Sequence, residues 1–167
     1  MKAFVRACDR TSRLFGALSM LLIASSVLVV THMVLVRYVL GRSTIWQTEF
    51  VVYAIIASTF LGAPYVLLLR GHVGVDLLPE MLPAGPARAM KMFASVVSLL
   101  FCGAVAYSSA HYWYEAYSRG WTTESVWGIP LWIPLLPLPV GMAMVCVQYV
   151  AEMMKPREPA ATREAAR

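Results

Sequence analysis

Ionised side chains are scarce in this sequence. Asp, Glu, Lys and Arg make up 14% of its 167 residues, whereas 59% are hydrophobic and the mean hydropathy is +0.65. Soluble domains carry about 25% charged residues, so this composition predicts an integral membrane protein. The net charge of +5 does not indicate nucleic-acid binding, because the basic residues lie at the ends of apolar runs and form no patch.

Cysteine is also rare, and the sequence lacks the common catalytic motifs. Cys8, Cys102 and Cys146 show no CxxC or Cys/His spacing, so we expect no disulfide and no structural metal. A nucleotide-binding loop, a zinc motif and a nucleophile constellation are all missing, which argues against an enzyme. We expect no cofactor.

What the sequence does contain is four long apolar runs, at residues 14–36, 50–69, 92–112 and 129–150. Each reaches the roughly 20 residues that a helix needs to cross a bilayer, and none contains Asp, Glu, Lys or Arg. The loops are too short to form a separate core. The sequence therefore predicts an all-α membrane protein with four transmembrane helices in a single domain, 1–167, ending in a basic tail, 151–167.

The distribution of Lys and Arg predicts the orientation of these spans. Eleven lie in the N-terminal segment, the second loop and the tail, against three in the first and third loops. Because short basic segments resist translocation, we expect both termini in the cytoplasm.

Tryptophan supports this orientation, since all five lie at or near the expected outer ends of spans. The aromatic side chains there either anchor the protein in the membrane interface or form a docking surface for a partner. The docking candidates are Trp113, Tyr117, Trp121, Trp127 and Trp132.

The start of the second span carries a polar cluster. Thr44 and Gln47 have the spacing of a capping box. Glu49 lies about one turn inside the interface, where Arg37 or Arg42 could pair with it. We interpret Glu49 as a member of a structural ion pair, or of a tether to another helix or subunit, in preference to a transport residue.

Small residues recur at every fourth position in the second and third spans. They are Ala54, Ser58 and Gly62 in the second, and Ala94, Ser98, Cys102, Ala106 and Ala110 in the third. Such stripes let helices approach closely in lipid. We expect these two helices to pack against each other or against another protein.

Three further features concern the loops and the helix ends. The segment 70–83 has the spacing of a short amphipathic piece on the inner membrane surface, where His72 and Asp76 could meet. The third helix is expected to continue past the hydrocarbon through Tyr117, because nothing breaks it before Gly120. Prolines in the run 130–139 predict a kink at the start of the fourth helix.

Two other functions are alternatives for a membrane protein with four spans. A self-sufficient ion-coupled transporter would bury an acid near the middle of the membrane, and these spans carry none. A haem-binding or quinone-linked anchor of a redox complex is conceivable, because His32 and His111 lie at similar depth on different spans.

In order and spacing, short motifs from Arg13 to Met154 resemble one known family. They are Arg37-Tyr38, Trp46-x-x-Glu49, Leu61-Gly62-Ala63, His72-Val73-Gly74-Val75-Asp76, Thr122, Pro130-Leu131-Trp132 and Leu136-Pro137-Leu138-Pro139-Val140-Gly141. Together they resemble the small permease subunit of tripartite ATP-independent periplasmic (TRAP) transporters, the DctQ type. Gln47-Thr48 departs from the family pattern, which often has another acid there.

The resemblance implies an accessory subunit in the bacterial inner membrane. A large permease subunit would carry an organic acid together with sodium, and an extracytoplasmic binding protein would deliver the acid. The small subunit would support the large subunit and help to dock the binding protein. None of its residues is expected to contact the solute. The subunit-interface candidates are Arg37, Arg42, Trp46, Glu49, Ser58 and Gly62, and His72 and Asp76 are candidates for shaping the inner turn.

Overall fold

The computed structural model describes residues 2–42, 44–69, 84–125 and 128–154. Within these ranges it contains five helices: α1 (Lys2–Val39), α2 (Ile45–Leu68), α3 (Ala84–Ser118), α4 (Trp132–Leu135) and α5 (Pro137–Met154). Four stretches are long and apolar enough to cross a membrane: Ala3–Val39, Ile45–Leu68, Met92–Ser118 and Trp132–Met154. The prediction of an all-α protein with four such spans is confirmed. The predicted amphipathic segment, 70–83, lies outside the described residues.

The end of α3 confirms that this helix continues beyond its apolar run. It reaches Ser118, and Gly120 then adopts a φ of 62°, in the left-handed region that glycine enters without steric cost. The N–H of Trp121 donates to the carbonyl oxygen of Ala116 at 3.1 Å, which satisfies one of the free carbonyls of the last turn.

The fourth span is broken near its start, as its prolines predicted. The short helix α4 ends at Leu135, and α5 begins at Pro137. Proline lacks the N–H that would continue the hydrogen-bond ladder, but its fixed φ suits the first position of a helix. The break at Leu136 therefore lies where the sequence can best accommodate it.

Helix packing differs from the expected arrangement. α2 lies between α1 and α5, α1 also contacts α5, and α3 packs against α5. Within the described residues α3 has no substantial contact with α2, so the first of the two expected arrangements is not formed. The second, packing against another protein, stays a prediction. The small stripe of α2 faces α1 instead.

The contact between α2 and α5 is close because Gly141 lies against the backbone of Phe60. A Cβ added at Gly141 would overlap the carbonyl group of Phe60. Glycine thus permits a separation that no other residue would allow.

Little of the molecule is buried within the chain. The buried share of each spanning window ranges from 6% in α3 to 28% in α2. The buried hydrophobic side chains include Ala54, Leu61, Leu67, Val145 and Ala151, all on α2 or α5. The two outer helices therefore present broad apolar surfaces away from the bundle.

Candidate functional site

The bundle has two ends, which hold different segments of the chain. The loop end holds the α1–α2 connection and the α3–α4 connection, residues 119–131. The termini end holds the start of α1 and the end of α5, which meet through a hydrogen bond between Ser12 and Gln148.

The first turns of α2, at the loop end, carry Trp46 and Glu49. They are three residues apart, so they share one side of the helix. Trp46 is exposed and Glu49 is half-buried, and the Oε2 atom of Glu49 is buried without a hydrogen-bond partner. A polar atom removed from water costs free energy until a donor meets it. Glu49 therefore has unused capacity to accept a hydrogen bond.

The expected ion pair of Glu49 is absent. Arg37 and Arg42 are both exposed, and in the described part of the chain neither approaches Glu49 closely enough to form a salt bridge. Arg37 lies in the last turn of α1, and Arg42 lies in the connection that follows this helix. Within this chain the carboxylate lacks the cation that the sequence suggested.

The predicted capping box is wrong. Thr44 precedes α2 with φ −127° and ψ 63° and makes no capping hydrogen bond through its side chain. Gln47 is only 3% exposed, and its Oε1 atom has no partner. The side chain of Gln47 points into the helix contact, so it cannot return to the N-cap.

Ser58 and Gly62 face α1. The Ser19 hydroxyl donates to the carbonyl oxygen of Ser58 at 2.7 Å, and a Cβ on Gly62 would lie 2.8 Å from that hydroxyl oxygen. Ser58 is 4% exposed. These two residues pack helices within the chain, and whether they also meet another subunit stays a prediction.

Three of the five aromatic docking candidates, Trp113, Tyr117 and Trp132, pack into one cluster, and Trp121 pairs separately with Tyr112. The indole N–H of Trp113 donates to the backbone carbonyl oxygen of Trp132 at 3.0 Å. The ring of Tyr117 stacks on Trp113 and meets Trp132 edge-on, each with 5.8 Å between centroids. Tyr112 meets Trp121 edge-on at 5.8 Å. The cluster ties the end of α3 to the start of α4.

The α3–α4 connection is ordered by backbone hydrogen bonds. Thr122 and Pro130 form an antiparallel bridge, and the Leu131 N–H donates to the Trp121 carbonyl oxygen at 2.8 Å. The Thr123 hydroxyl accepts from the Ile129 N–H at 3.1 Å. The fifth aromatic candidate, Trp127, lies in this connection but outside the described residues.

An open cleft of about 710 Å³ lies beside this connection. Among the described residues, its lining includes Tyr53, Thr122, Thr123 and Glu124, with one acid and no base. Tyr53 is four residues after Glu49, so the two side chains lie on the same side of α2. The cleft thus adjoins the unsatisfied carboxylate.

Sequence reasoning missed a buried polar cluster at the termini end. Gln148 is completely buried. Its Oε1 accepts from the Ser12 hydroxyl at 2.8 Å, and its Nε2 donates to Asp9 at 3.1 Å and to Glu152 at 3.3 Å. The available signal was a lone Gln late in an apolar run, four residues before an acid.

Sequence comparison identifies the family of this chain. Residues 26–157 match the model of the tripartite ATP-independent periplasmic transporters, DctQ component. The chain belongs to the DctQ family. Membership and the four apolar helices together indicate a multi-pass protein of the inner membrane.

Curated relatives of this DctQ chain are named as small permease proteins. An ectoine TRAP transporter small permease protein, TeaB, from Halomonas elongata is 28% identical over 71% of this chain. C4-dicarboxylate TRAP transporter small permease proteins from Rhodobacter capsulatus and Vibrio cholerae are each 24% identical, over 66% and 70% of the chain. The matches cover 61%, 48% and 60% of these relatives, so the chain spans about half to three fifths of their length. All three are transporter subunits and not enzymes.

The DctQ chain does not bring His32 and His111 together. His32 on α1 and His111 on α3 are both exposed, and these helices lie on different sides of the α2–α5 pair without substantial contact. The paired-histidine haem site that the sequence left open is therefore not formed. His72 and Asp76, the candidates for the inner turn, lie outside the described residues.

Proposed function

We propose that this chain is the accessory small subunit of a TRAP-type secondary transporter that takes up an organic acid with a sodium gradient. It supports a large permease subunit and helps to dock an extracytoplasmic binding protein. The match over residues 26–157 carries the proposal, because it covers three of the four spans completely and part of the first. The C4-dicarboxylate names of two relatives support an organic acid as the solute.

The thin bundle supports an assembly role. α3 contacts the rest of the chain mainly through α5, and Phe93, Leu100 and Phe101 on it are each more than two thirds exposed. Lipid satisfies such faces as well as protein does, so shape and polar contacts must select the partner. The unsatisfied carboxylate of Glu49 is the polar group best placed for that selection.

We assign the interface with the large subunit to the loop end of α2. Trp46 offers an exposed ring and Glu49 an acceptor without a donor. Arg37 and Arg42, at the same end of the bundle, are also exposed. A basic side chain or an N–H group of the large subunit would donate the missing hydrogen bond to the Glu49 carboxylate. Ser58 and Gly62 are left out of this surface because α1 covers them.

Docking of the binding protein is assigned to the aromatic cluster around Trp113 and Trp132. Its internal contacts hold the rings in place, so little side-chain entropy remains to be lost when a partner binds. Tyr117 is still 57% exposed. With both termini in the cytoplasm, this cluster faces the compartment of the binding protein.

The first test is copurification of the large permease subunit with a tagged small subunit. Glu49→Gln removes the charge with little change in size, and Glu124→Gln removes an exposed acid from the nearby connection as a control. We expect Glu49→Gln to reduce copurification at least tenfold, because truncating one partner of a buried charge pair costs about 2 kcal/mol or more.

Glu124→Gln should leave copurification unchanged, and solute binding to the isolated binding protein should be unaffected by either change. Full copurification and uptake with Glu49→Gln would show that the interface lies elsewhere. Loss with both variants would point to a general requirement for acid at the loop end.

A further inference from the structure

The start of α1 has a basic face opposite the face that packs into the bundle. Cys8, Ser12 and Ser19 are buried, and they mark the packed side. Arg6, Arg10 and Arg13 are exposed, and their spacing of four and three residues places them together on the other side of the helix. These arginines point away from α2 and α5.

The polar cluster at the termini end explains why Asp9, the neighbour of Arg10 in sequence, is directed away from this face. Asp9 is the only acid among the first 48 residues, and its Oδ1 accepts from the buried amide of Gln148. Glu152 accepts from the same amide. Both acids are thereby directed toward the α1–α5 contact. Among the described residues, neither Arg10 nor Arg13 forms an ion pair.

The same face continues into the membrane as an apolar surface. Leu14 and Leu21, on the turns that follow Arg13, are 62% and 67% exposed, and lipid tails are their natural environment. A helix rises about 1.5 Å per residue. Arg13 therefore lies at the edge of the hydrocarbon, Arg10 about 5 Å further out, and Arg6 about 10 Å out.

These depths place two of the three arginines in the headgroup layer. The polar layer of one leaflet is about 5–8 Å thick, by difference between the full bilayer and its hydrocarbon core. Arg10 and Arg13 fall inside it, and Arg6 falls at its water side. The planar guanidinium group binds phosphate through two parallel hydrogen bonds and is weakly hydrated, so it suits this position.

We propose that Arg10 and Arg13 form a binding site for the headgroup of an anionic phospholipid, of the phosphatidylglycerol or cardiolipin class. Two unneutralised cations within one turn repel the ammonium group of a zwitterionic lipid and favour a net negative headgroup. The exposed leucines below them hold the acyl chains.

The test compares lipid retention by the purified full chain, measured by native mass spectrometry. Phosphatidylglycerol and phosphatidylcholine with identical acyl chains are added in equal amounts. The double variant Arg10→Gln/Arg13→Gln should lower the preference for phosphatidylglycerol roughly 30-fold, because each basic residue near an anionic surface contributes about a fivefold factor. Arg119→Gln is the matched control, since Arg119 lies at the loop end and pairs with Glu115 at 3.0 Å.

Further variants and conditions separate the alternatives. Arg10→Lys/Arg13→Lys keeps both charges and should retain most of the preference for phosphatidylglycerol. That result would show that substitution at these two positions does not by itself prevent folding. Equal retention of the two lipids by the unchanged chain would refute the proposal. So would displacement of the lipid by millimolar inorganic phosphate, which would identify a site for a soluble anion. Unchanged lipid preference in the glutamine variant, with loss of the large permease subunit, would identify a protein interface instead.

Discussion

At the residue scale, the two glutamines of the described chain are both buried but differ in their hydrogen bonds. Gln47 and Gln148 are 3% and 0% exposed. Gln148 satisfies Ser12, Asp9 and Glu152, whereas the Oε1 atom of Gln47 has no partner. In sequence Gln148 is a lone polar residue late in an apolar run, whereas Gln47 stands beside Thr48 and close to Glu49. Neither pattern shows which amide finds partners. The helix that each glutamine faces decides whether its side chain finds hydrogen-bond partners.

This difference predicts opposite effects of the same substitution. Gln148→Met removes three hydrogen bonds, including the one that the buried Ser12 hydroxyl donates, so we expect a loss of stability of about 1 kcal/mol or more. Gln47→Met removes an unsatisfied oxygen and should be neutral or stabilising. Thermal unfolding of the purified subunit in detergent measures both. Equal destabilisation by the two variants would contradict the hydrogen-bond pattern described here.

At the scale of elements, helix contacts depend on where small residues leave room. Gly141 allows α5 to touch the backbone of α2 at Phe60, while Gly103 on α3 has nothing within 4 Å of where a Cβ would stand. Both are mid-helix glycines in apolar surroundings. The sequence predicted close packing for the second and third spans, but of these two glycines only Gly141, on the fourth span, makes a close contact.

Alanine substitution should therefore distinguish the two positions. Gly141→Ala forces α2 and α5 apart and should destabilise the fold by about 1–3 kcal/mol, the usual cost of overpacking. Gly103→Ala should be neutral or stabilise by up to about 1 kcal/mol through helix propensity. Retention of the large permease subunit and thermal stability are the readouts. A tolerated Gly141→Ala would mean that α2 and α5 are further apart than described.

At the scale of the whole molecule, four spans return the chain to the side of the membrane where it began. The Lys and Arg distribution predicts that this side is the cytoplasm. The loop end, with its aromatic cluster and ordered α3–α4 connection, would then face outward. The roles proposed for the two ends both depend on this orientation.

Cysteine labelling tests the orientation directly. In a chain whose Cys8, Cys102 and Cys146 are replaced by alanine, Ser118→Cys should react with a membrane-impermeant maleimide in intact spheroplasts. Ala3→Cys should react only after the membrane is permeabilised. Both positions are exposed, so accessibility within the protein does not limit either reaction. The reverse pattern would invert the topology and remove the aromatic cluster as a docking surface.

The sequence by itself determined the number of apolar spans, the extension of α3 to Ser118 and the break before Pro137. These follow from local causes: the length of apolar runs relative to the bilayer, the position of glycine, and the missing N–H of proline. The tertiary structure alone decided that α2 packs on α1 and α5, that Glu49 lacks its expected arginine, and that Gln148 gathers Asp9, Ser12 and Glu152. In a membrane, lipid-facing and core-facing sides are both apolar, so the rotation of each helix is poorly encoded in its hydrophobic pattern. Long-range contacts set it instead.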